Sequence, residues 1–354
     1  MNSLQDLRLF HKGLANDDAA KSPSLLRDVS VLAFQLFNSF RLPVKHGPSG
    51  REVLLINGPR QARLATECSD LTYVHLFIGG STASKGNVGR SPLACMGCFA
   101  LVRLWCHVVM KIRHGLRPRH IGHYFEFCTL IQALRLGVYE RVSAFGHYDR
   151  YSTWLGGICQ EFQIAFRIIQ HGALSARAIP HRIECQEVLC FNEDEEELFR
   201  QFVVQNPNCH FNYRRPVGIQ FSQGSFPWRP VVAIASQVGY SSRTRDLVAF
   251  LDSCLRGATI LIYLHHLEKG GDFQQSSHGN HILVESFARF YNVDFLITCF
   301  SSIVYDYLYC EQFQGTIICW LVPGIRMGFY SNNRVRSITS LEELKHSLPL
   351  NSEF

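Results

Sequence analysis

Five short segments of the sequence carry side chains that can bind anions or move protons, and each follows a predicted strand. They lie at residues 146–150, 170–172, 236–237, 265–266 and 301–302. Together they supply imidazoles, hydroxyls, amides and a carboxylate. Ligands of open α/β sheets bind outside the carboxyl ends of the strands, so these segments predict one binding rim.

Three of these side chains are suited to general base catalysis. Asp149 and His147 lie in the first segment, and His171 lies in the second. An attacking hydroxyl must lose its proton, and a carboxylate or an imidazole with a pKa near the working pH can accept it. We predict Asp149 and His147 as catalytic residues, with His171 as a third candidate. A structural role is the alternative for each, since buried polar groups are usually hydrogen bonded and Asp149 could pair with Arg150.

The last two segments are suited to an anionic leaving group. A protonated His265, or the hydroxyls and amides of Ser301 and Ser302 at the start of a helix, would stabilise the charge of a departing phosphate. This arrangement needs no metal ion, and we predict none. Ser301 and Ser302 could instead cap the helix that begins near Ile303, a role that is compatible with phosphate binding.

Further candidates complete the two sides of the predicted site. The donor side also includes His266, Ser236 and Gln237. The residues predicted to bind the acceptor are Arg150, Gln170, Gly172 and Arg182. Arg182 is included because it follows a proline in a loop and could bind an anion, with a solvated loop arginine as the alternative.

Short apolar runs that end in loop signals alternate with helix-length segments, which is typical of a doubly wound α/β sheet. The predicted strands are 52–57, 72–78, 141–145, 165–169, 187–191, 230–235, 259–264, 293–298 and 315–321. The predicted helices are 25–42, 92–113, 125–136, 245–255, 281–291, 302–310 and 341–348. Asn192 and Ser340 are predicted N-caps, and the acidic run that follows Asn192 is attributed to the helix dipole.

The chain is long enough for two domains. It has 354 residues, of which 47% are hydrophobic, so it has apolar material for two cores. Four prolines between residues 206 and 230 predict a linker. We predict an N-terminal extension with one helix at 1–50, an acceptor-side α/β domain at 51–215, a nucleotide-sugar-binding α/β domain at 216–335, and a C-terminal helix and tail at 336–354.

The charge of the chain is modest but uneven. The formal charge is +6, and a basic stretch covers residues 103–123. This stretch could contact phosphate or an anionic membrane, and the alternative is the solvated side of an amphipathic helix. No segment has the roughly 18 apolar residues that span a bilayer, and the start does not follow the pattern of a secretory signal. We therefore expect a cytoplasmic protein, with peripheral contact to the inner face of the plasma membrane as a further expectation.

The cysteines do not form a disulfide pattern. The chain has 13 Cys, scattered among apolar neighbours, which predicts reduced core thiols. A metal site is suggested by Cys95, Cys98, Cys106 and His107, but a second well-spaced pair is missing. We therefore expect no metal.

Two groups of motifs resemble known enzymes. The stretch 145–183, with His147-Tyr-Asp-Arg150, Ile168-Ile-Gln-His-Gly172 and Pro180-His-Arg-Ile183, resembles bacterial capsule and lipopolysaccharide glycosyltransferases of the GT-B architecture. Leu264-His265-His266 and Phe300-Ser301-Ser302 are similar to the His-Pro and Ser-Ser motifs of bacterial sialyltransferases and polysialyltransferases. In those families the motifs hold the phosphate and cytidine of a CMP-sugar.

The resemblance implies a fold class and a reaction. The fold class is α/β, with two Rossmann-like domains facing across a cleft, as in GT-B enzymes. The implied function is a metal-independent, inverting glycosyltransferase that moves a sugar, such as sialic acid or a related acidic sugar, to a surface-glycan acceptor. Its partners would be a nucleotide-sugar donor, CMP-linked in the narrower prediction, and a glycan or lipid-linked glycan. Nucleic acid is not an expected partner, and no cofactor is expected beyond the nucleotide-sugar co-substrate.

Two departures from the family pattern leave alternatives open. His266 stands where the family has Pro, and Tyr263 stands where related enzymes often carry a basic residue. One alternative is a CDP-glycerol-type transferase of polyol phosphates, which shares the architecture and the cytidine nucleotide. The other is a GT-B-like binding protein of a glycan-synthesis complex that has lost catalysis.

Overall fold

The structure is a computed structural model. It describes residues 4–18, 52–56, 74–77, 118–136, 139–146, 149–176, 179–215, 221–222, 226–237, 240–264, 280–286 and 290–348. His147, His265 and His266 lie outside these residues, as do the predicted helices 25–42 and 92–113 and the cysteines considered for a metal site. No helix in the described ranges is long and apolar enough to cross a membrane.

The first sheet has six parallel strands in the order β2-β1-β3-β4-β5-β6. They are β1 (Glu52–Ile56), β2 (Val74–Phe77), β3 (Arg141–Ala144), β4 (Ala165–Ile169), β5 (Glu187–Cys190) and β6 (His210–Tyr213). The five strands predicted in this half are confirmed. β6 lies inside the predicted linker, because an edge strand with mostly exposed side chains has no apolar run to reveal it.

The second sheet also has six parallel strands, in the order β12-β11-β10-β7-β8-β9. They are β7 (Val231–Ala235), β8 (Thr259–Leu264), β9 (His281–Ser286), β10 (Phe295–Thr298), β11 (Thr316–Trp320) and β12 (Val335–Ile338). Counted from β7, this is the Rossmann order 3-2-1-4-5-6. The α/β fold class with two Rossmann-like sheets is therefore confirmed.

The prediction of a helix at 281–291 is wrong. Residues 281–286 form β9, which pairs with β8 from Thr259↔His281 to Leu264↔Ser286. A short apolar run is compatible with a strand or a helix, and pairing with a neighbouring strand decides between them. β12, at the opposite edge of the sheet, was missed in the sequence for the same reason as β6.

The helices cover the sheets. They are α1 (Leu4–Asp18), α2 (Pro118–Leu136), α3 (Arg150–Glu161), α4 (Glu193–Leu198), α5 (Ser241–Cys254), α6 (Ile303–Leu308) and α7 (Leu341–Lys345). One π turn (Phe199–Val203) follows α4, and a 3₁₀ turn (Gly328–Ser331) precedes β12. The predicted caps are confirmed: the Glu195 amide donates to Asn192 Oδ1 at 3.0 Å, and the Glu343 amide donates to Ser340 Oγ at 3.2 Å.

The chain forms two compact units, and each includes more than one stretch of sequence. The first unit contains residues 1–171, 178–190 and 199–213. The second contains residues 172–177, 191–198 and 214–354. Two segments from within the predicted acceptor-side domain, 172–177 and 191–198, therefore pack into the second unit, and the latter contains α4.

Tyr263 belongs to the core of the second unit. Its side chain is fully buried, its hydroxyl accepts a hydrogen bond from the Tyr291 amide at 3.0 Å, and it lies 3.2 Å from the Tyr307 hydroxyl. Tyr307 in turn donates to the Tyr291 carbonyl at 2.8 Å. The position where related enzymes often carry a basic residue is thus a buried structural position in this chain.

Gly156→Ala is expected to lower the free energy of unfolding by about 1–3 kcal/mol, because it overpacks a tight contact. A Cβ at Gly156 would lie 2.5 Å from the carbonyl oxygen of Glu184, and backbone cannot rotate away. Gly157→Ala is the matched control: its Cβ would lie 2.5 Å from the end of the flexible Leu9 side chain. Urea unfolding should show a clearly larger loss for Gly156, and equal losses would contradict the contact.

Candidate functional site

The strand order of the second sheet places a crevice at the end of β7 and β10. These two strands are neighbours, paired from Phe295↔Val232 to Thr298↔Ala235. The chain continues from β7 toward one edge of the sheet and from β10 toward the other. In such sheets the ligand binds at this switch point, outside the carboxyl ends of the strands. Ser236, Gln237, Ser301 and Ser302 all follow these two strands.

A hydrogen-bond chain fixes the backbone at this crevice. The Ser236 amide donates to the Tyr263 carbonyl at 3.0 Å, which continues the pairing of β7 with β8. Thr298 Oγ1 donates to the Ala235 carbonyl at 3.2 Å and accepts from the Ser301 amide at 3.3 Å. The Thr298 hydroxyl therefore joins the end of β7 to the turn that carries the two serines.

The two serines have different surroundings. Ser301 is buried, and its Oγ accepts from the Ile303 amide at 3.4 Å, so this residue has the structural role considered above. Ser302 is half-buried at the N-cap position of α6, and in the described part of the chain its side chain makes no capping hydrogen bond. A Cβ built on Gly172 would lie 3.7 Å from Ser302 Oγ. Gly172 thus lies with Ser302 in the second unit, although the sequence analysis placed it on the acceptor side.

Arg243 is a candidate that the sequence analysis missed. It lines a cavity of about 10 Å³, together with Gln237, Tyr240 and Cys299, at the carboxyl ends of β7 and β10. Its guanidinium carbon lies 4.9 Å from the centre of the Trp320 ring, which is within the range of a cation–π contact. The helix after β7 was predicted to begin at residue 245, but it begins at Ser241, and this earlier start puts Arg243 in its first turn.

Cys299 is not suited to nucleophilic catalysis. Burial raises the pKa of its thiol, and the neighbouring Arg243 lowers it by less. A thiol with a raised pKa is protonated at neutral pH and is a weak nucleophile. The other polar side chains considered at this crevice, such as Gln237, Arg243 and Ser302, can bind an anion or form hydrogen bonds with a ligand.

In the first unit, Asp149 caps α3 just beyond β3. Its Oδ1 accepts from the Ser152 amide at 3.0 Å. The carboxylate folds back over Gly146, where a Cβ would lie 2.3 Å from Oδ2, so this turn requires glycine. Asp149 is half-buried. It therefore has the structural role of a cap and still faces the edge of the sheet where catalysis is predicted.

Arg150 is held in a buried ion pair that the sequence analysis did not predict. Its Nη2 lies 2.9 Å from Glu126 Oε2, and the two side chains are 12% and 10% exposed. Burial raises the pKa of Glu126, but Arg150 and the His123 hydrogen bond outweigh burial and lower the pKa to about 2. Arg150 also stacks on Tyr151, with 4.5 Å from its guanidinium carbon to the ring centre.

The same cluster corrects the interpretation of the basic stretch at its carboxyl end. His120 and His123 are 5% and 4% exposed. They are neither on a solvated helix face nor available to a membrane, because both are buried: His123 Nδ1 lies 3.3 Å from Glu126 Oε2, and the His120 ring lies 6.3 Å from the His123 ring. Residues 103–117 of the stretch lie outside the described residues.

Gln170 and His171 follow β4 and lie, like Asp149, at the carboxyl ends of the strands of the first sheet. Gln170 is buried, and its backbone N–H donates to the Leu189 carbonyl at 2.9 Å. The His171 ring makes an edge contact with Phe145, which follows β3, at 6.3 Å between centres. The structure therefore brings His171 to the ends of β3 and β4, where Asp149 also lies.

Arg182 lies near the amino ends of the strands of the first sheet, whereas Asp149 and His171 lie at the carboxyl ends. It is exposed, and its guanidinium donates to the Arg200 carbonyl. Four residues later, the Gln186 amide donates at 3.0 Å to the carbonyl of Phe166, at the beginning of β4. The structure does not bring Arg182 together with the other candidates, because the chain has already returned to the amino ends of the strands.

The described residues contain no group of three or more His, Cys, Asp or Glu side chains that could hold a metal ion. The polar groups that follow β7 and β10 or line the cavity there include the hydroxyls of Ser301 and Ser302, the Gln237 amide and the Arg243 guanidinium. These groups bind anions through hydrogen bonds and charge.

No known family matches the sequence, and no curated protein matches it. Among solved structures, the chain is similar to the crystal structure of Arabidopsis thaliana UGT89C1 complexed with UDP-L-rhamnose. The identity is 12%, the match covers 83% of this chain and 75% of that chain, and the TM-score is 0.37. The fold is assigned from the order of the strands in the two sheets.

Proposed function

We propose that this protein is a glycosyltransferase that takes a sugar from a nucleotide donor, and that the second unit binds the donor. The observation that carries the proposal is the Rossmann order of the second sheet, with Ser236, Gln237, Ser301 and Ser302 at its switch point. Nucleotides bind to sheets of this order at that point. A second Rossmann-like sheet, with its own polar residues at the carboxyl ends, supports a separate site for the acceptor.

The donor phosphate is proposed to lie over the mouth of the small cavity. A cavity of about 10 Å³ has room for about one water molecule, so a nucleotide would bind outside it. Gln237 and Arg243 line this cavity, and Arg243 supplies positive charge. Ser302 is half-buried and follows β10, the strand next to β7. His265 and His266 follow β8, the neighbour of β7, and are proposed to complete the donor side from the same edge of the sheet.

The finer proposal is an inverting, metal-independent transfer of an acidic sugar from CMP to a surface glycan. The leaving nucleotide carries negative charge on its phosphate, which Arg243 and the hydroxyl of Ser302 would stabilise. Asp149, or His147 or His171, would accept the proton of the acceptor hydroxyl. The acceptor is proposed to be a glycan or a lipid-linked glycan.

The test is to offer a panel of CMP-, UDP- and GDP-sugars to the purified protein and to measure nucleotide release and product mass. We expect release from one class of donor and a thermal shift with the matching nucleotide. A product carrying a polyol phosphate would identify the CDP-glycerol-type reaction instead. No release and no thermal shift with any donor would contradict a glycosyltransferase.

Arg243→Gln is expected to weaken nucleotide binding by about 10- to 100-fold, the loss of one charged hydrogen bond of about 1.5–3 kcal/mol. The measurement is calorimetric titration with the nucleotide that the panel identifies. Arg245→Gln, an exposed arginine on the same helix, removes the same charge and is the control. Equal loss in both variants would show a general effect of net charge, and no loss in either would remove Arg243 from the site.

A further inference from the structure

Glu195 differs from the other acidic residues of α4. The run from Glu193 to Glu197 was attributed to the helix dipole, which acts on exposed carboxylates as well as on buried ones. Glu193 and Glu197 are exposed, but Glu195 is 0% exposed. Burying a carboxylate is costly unless hydrogen bonds compensate for the loss of water. The helix dipole alone therefore does not account for Glu195.

The hydrogen bonds of Glu195 connect three segments of the second unit. Tyr305 donates its hydroxyl to Oε1 at 2.5 Å, and the Leu174 amide donates to Oε2 at 3.1 Å. Burial, and then the nearby Glu195 carboxylate, raise the pKa of Tyr305, so its hydroxyl keeps the proton that it donates. Gly328 lies against the same carboxylate: a Cβ there would be 2.7 Å from Oε1.

Both donors belong to segments that form the candidate site. Leu174 is two residues after Gly172, and Tyr305 is three residues after Ser302. Gly172 and Ser302 are close neighbours: a Cβ built on Gly172 would be in van der Waals contact with Ser302 Cβ, at 3.6 Å. Glu195 is therefore bonded to the segments on both sides of this contact.

We infer that Glu195 is a positioning residue of the donor site: it holds the 172–174 segment against the Ser302 turn and so fixes the wall that the donor phosphate meets. This inference rests on the proposed function. Glu195 acts through Gly172 and Ser302, and does not itself touch the donor.

Glu195→Gln and Tyr305→Phe test the inference. The two donors bond to different oxygens of Glu195, and Gln keeps an acceptor oxygen in only one of these two positions, so it can satisfy one donor in place but not both. Tyr305→Phe removes one donor and leaves the carboxylate and the Leu174 bond in place. Glu193→Gln is the matched control, because it changes the same charge on the same helix at an exposed position. Two variants at different residues keep the test valid if one of them folds poorly.

Two measurements are made on the full chain. Hydrogen exchange followed by mass spectrometry, without ligand, reports the protection of peptides that cover 172–177 and 301–308. Calorimetric titration with CMP, UDP and GDP reports nucleotide affinity. We expect faster exchange in both peptides for Glu195→Gln and Tyr305→Phe, and a Kd raised about tenfold, the size of one lost hydrogen bond. Glu193→Gln should match the wild type in both.

The outcomes separate this inference from the proposed function. Unchanged hydrogen exchange in the two test variants would overturn the positioning role. Faster exchange with wild-type nucleotide affinity would also overturn it, because that result is expected if Glu195 only stabilises the fold. Failure of the wild type to bind any of CMP, UDP and GDP would overturn the proposed donor site and, with it, this inference. Binding by the wild type with equal binding by both variants would overturn the inference alone.

Discussion

Asp149→Asn is expected to slow sugar transfer by about 10²–10⁴-fold, the contribution of a positioned general base. Asn is as good an N-cap as Asp, so the hydrogen bond from the Ser152 amide to position 149 is kept. The amide cannot accept a proton from the acceptor hydroxyl. The substitution therefore separates the two roles of Asp149, and the measurement is kcat with the donor that the panel identifies.

Asp149→Ala provides the comparison for stability. It removes the cap as well as the base, and we expect it to lower the free energy of unfolding by about 1 kcal/mol, whereas Asn should leave that free energy nearly unchanged. Urea unfolding of the two variants measures this difference. If Asp149→Asn transfers sugar at the wild-type rate, Asp149 is a helix cap only, and the proton acceptor is His147 or His171.

Arg150→Met is expected to lower the free energy of unfolding by about 3–5 kcal/mol at neutral pH, the effect of breaking a buried ion pair. Arg150 and Glu126 are 12% and 10% exposed, so water cannot replace the lost partner. Met keeps much of the apolar contact with Tyr151 and Trp154 but leaves the buried Glu126 charge without its arginine partner, with His123 still beside it. Urea unfolding, followed by circular dichroism, measures the loss.

A double variant is the control for Arg150→Met. Replacing both partners with apolar residues, as in Glu126→Leu with Arg150→Met, removes the buried charge together with its partner and should cost much less than the single change. A single variant within 1 kcal/mol of the wild type would contradict the importance of the pair.

The pH dependence follows from the pKa of Glu126. Because that pKa is lowered from 4.5 to about 2 in the folded protein, the pair stabilises the wild type above about pH 4.5. This stability is lost as the pH falls toward 2. In Arg150→Met the attraction of Arg150 is lost and His123 alone opposes burial, so we expect the pKa of Glu126 to rise above its wild-type value and the buried acid to be best tolerated in its protonated form at low pH. The difference in stability between wild type and variant should therefore narrow between about pH 4.5 and 2.

The interior strands and the edge strand β2 could be predicted from the sequence, whereas the edge strands β6, β9 and β12 could not. Runs such as Val231–Ala235 and Thr259–Leu264 are buried on both faces and show it by continuous apolar sequence. β6 and β12 have exposed side chains. The apolar run of β9 is so short that the sequence does not distinguish a strand from a helix. At an edge, the backbone of the neighbouring strand decides the structure, and that neighbour is distant in sequence.

The sequence by itself determined that two wound sheets form and that polar side chains follow their strands. A strand that is buried on both faces of a sheet is a continuous apolar run, and such runs can be recognised in the local sequence. Only the tertiary structure decided the partners of those side chains. Glu195 was one carboxylate in an acidic run until Tyr305, 110 residues away, was found to donate to it. Arg150 was a candidate ligand until Glu126, 24 residues away, was found to hold it. Partners of this kind are fixed by packing between distant segments, which leaves no periodic pattern in the sequence of either segment.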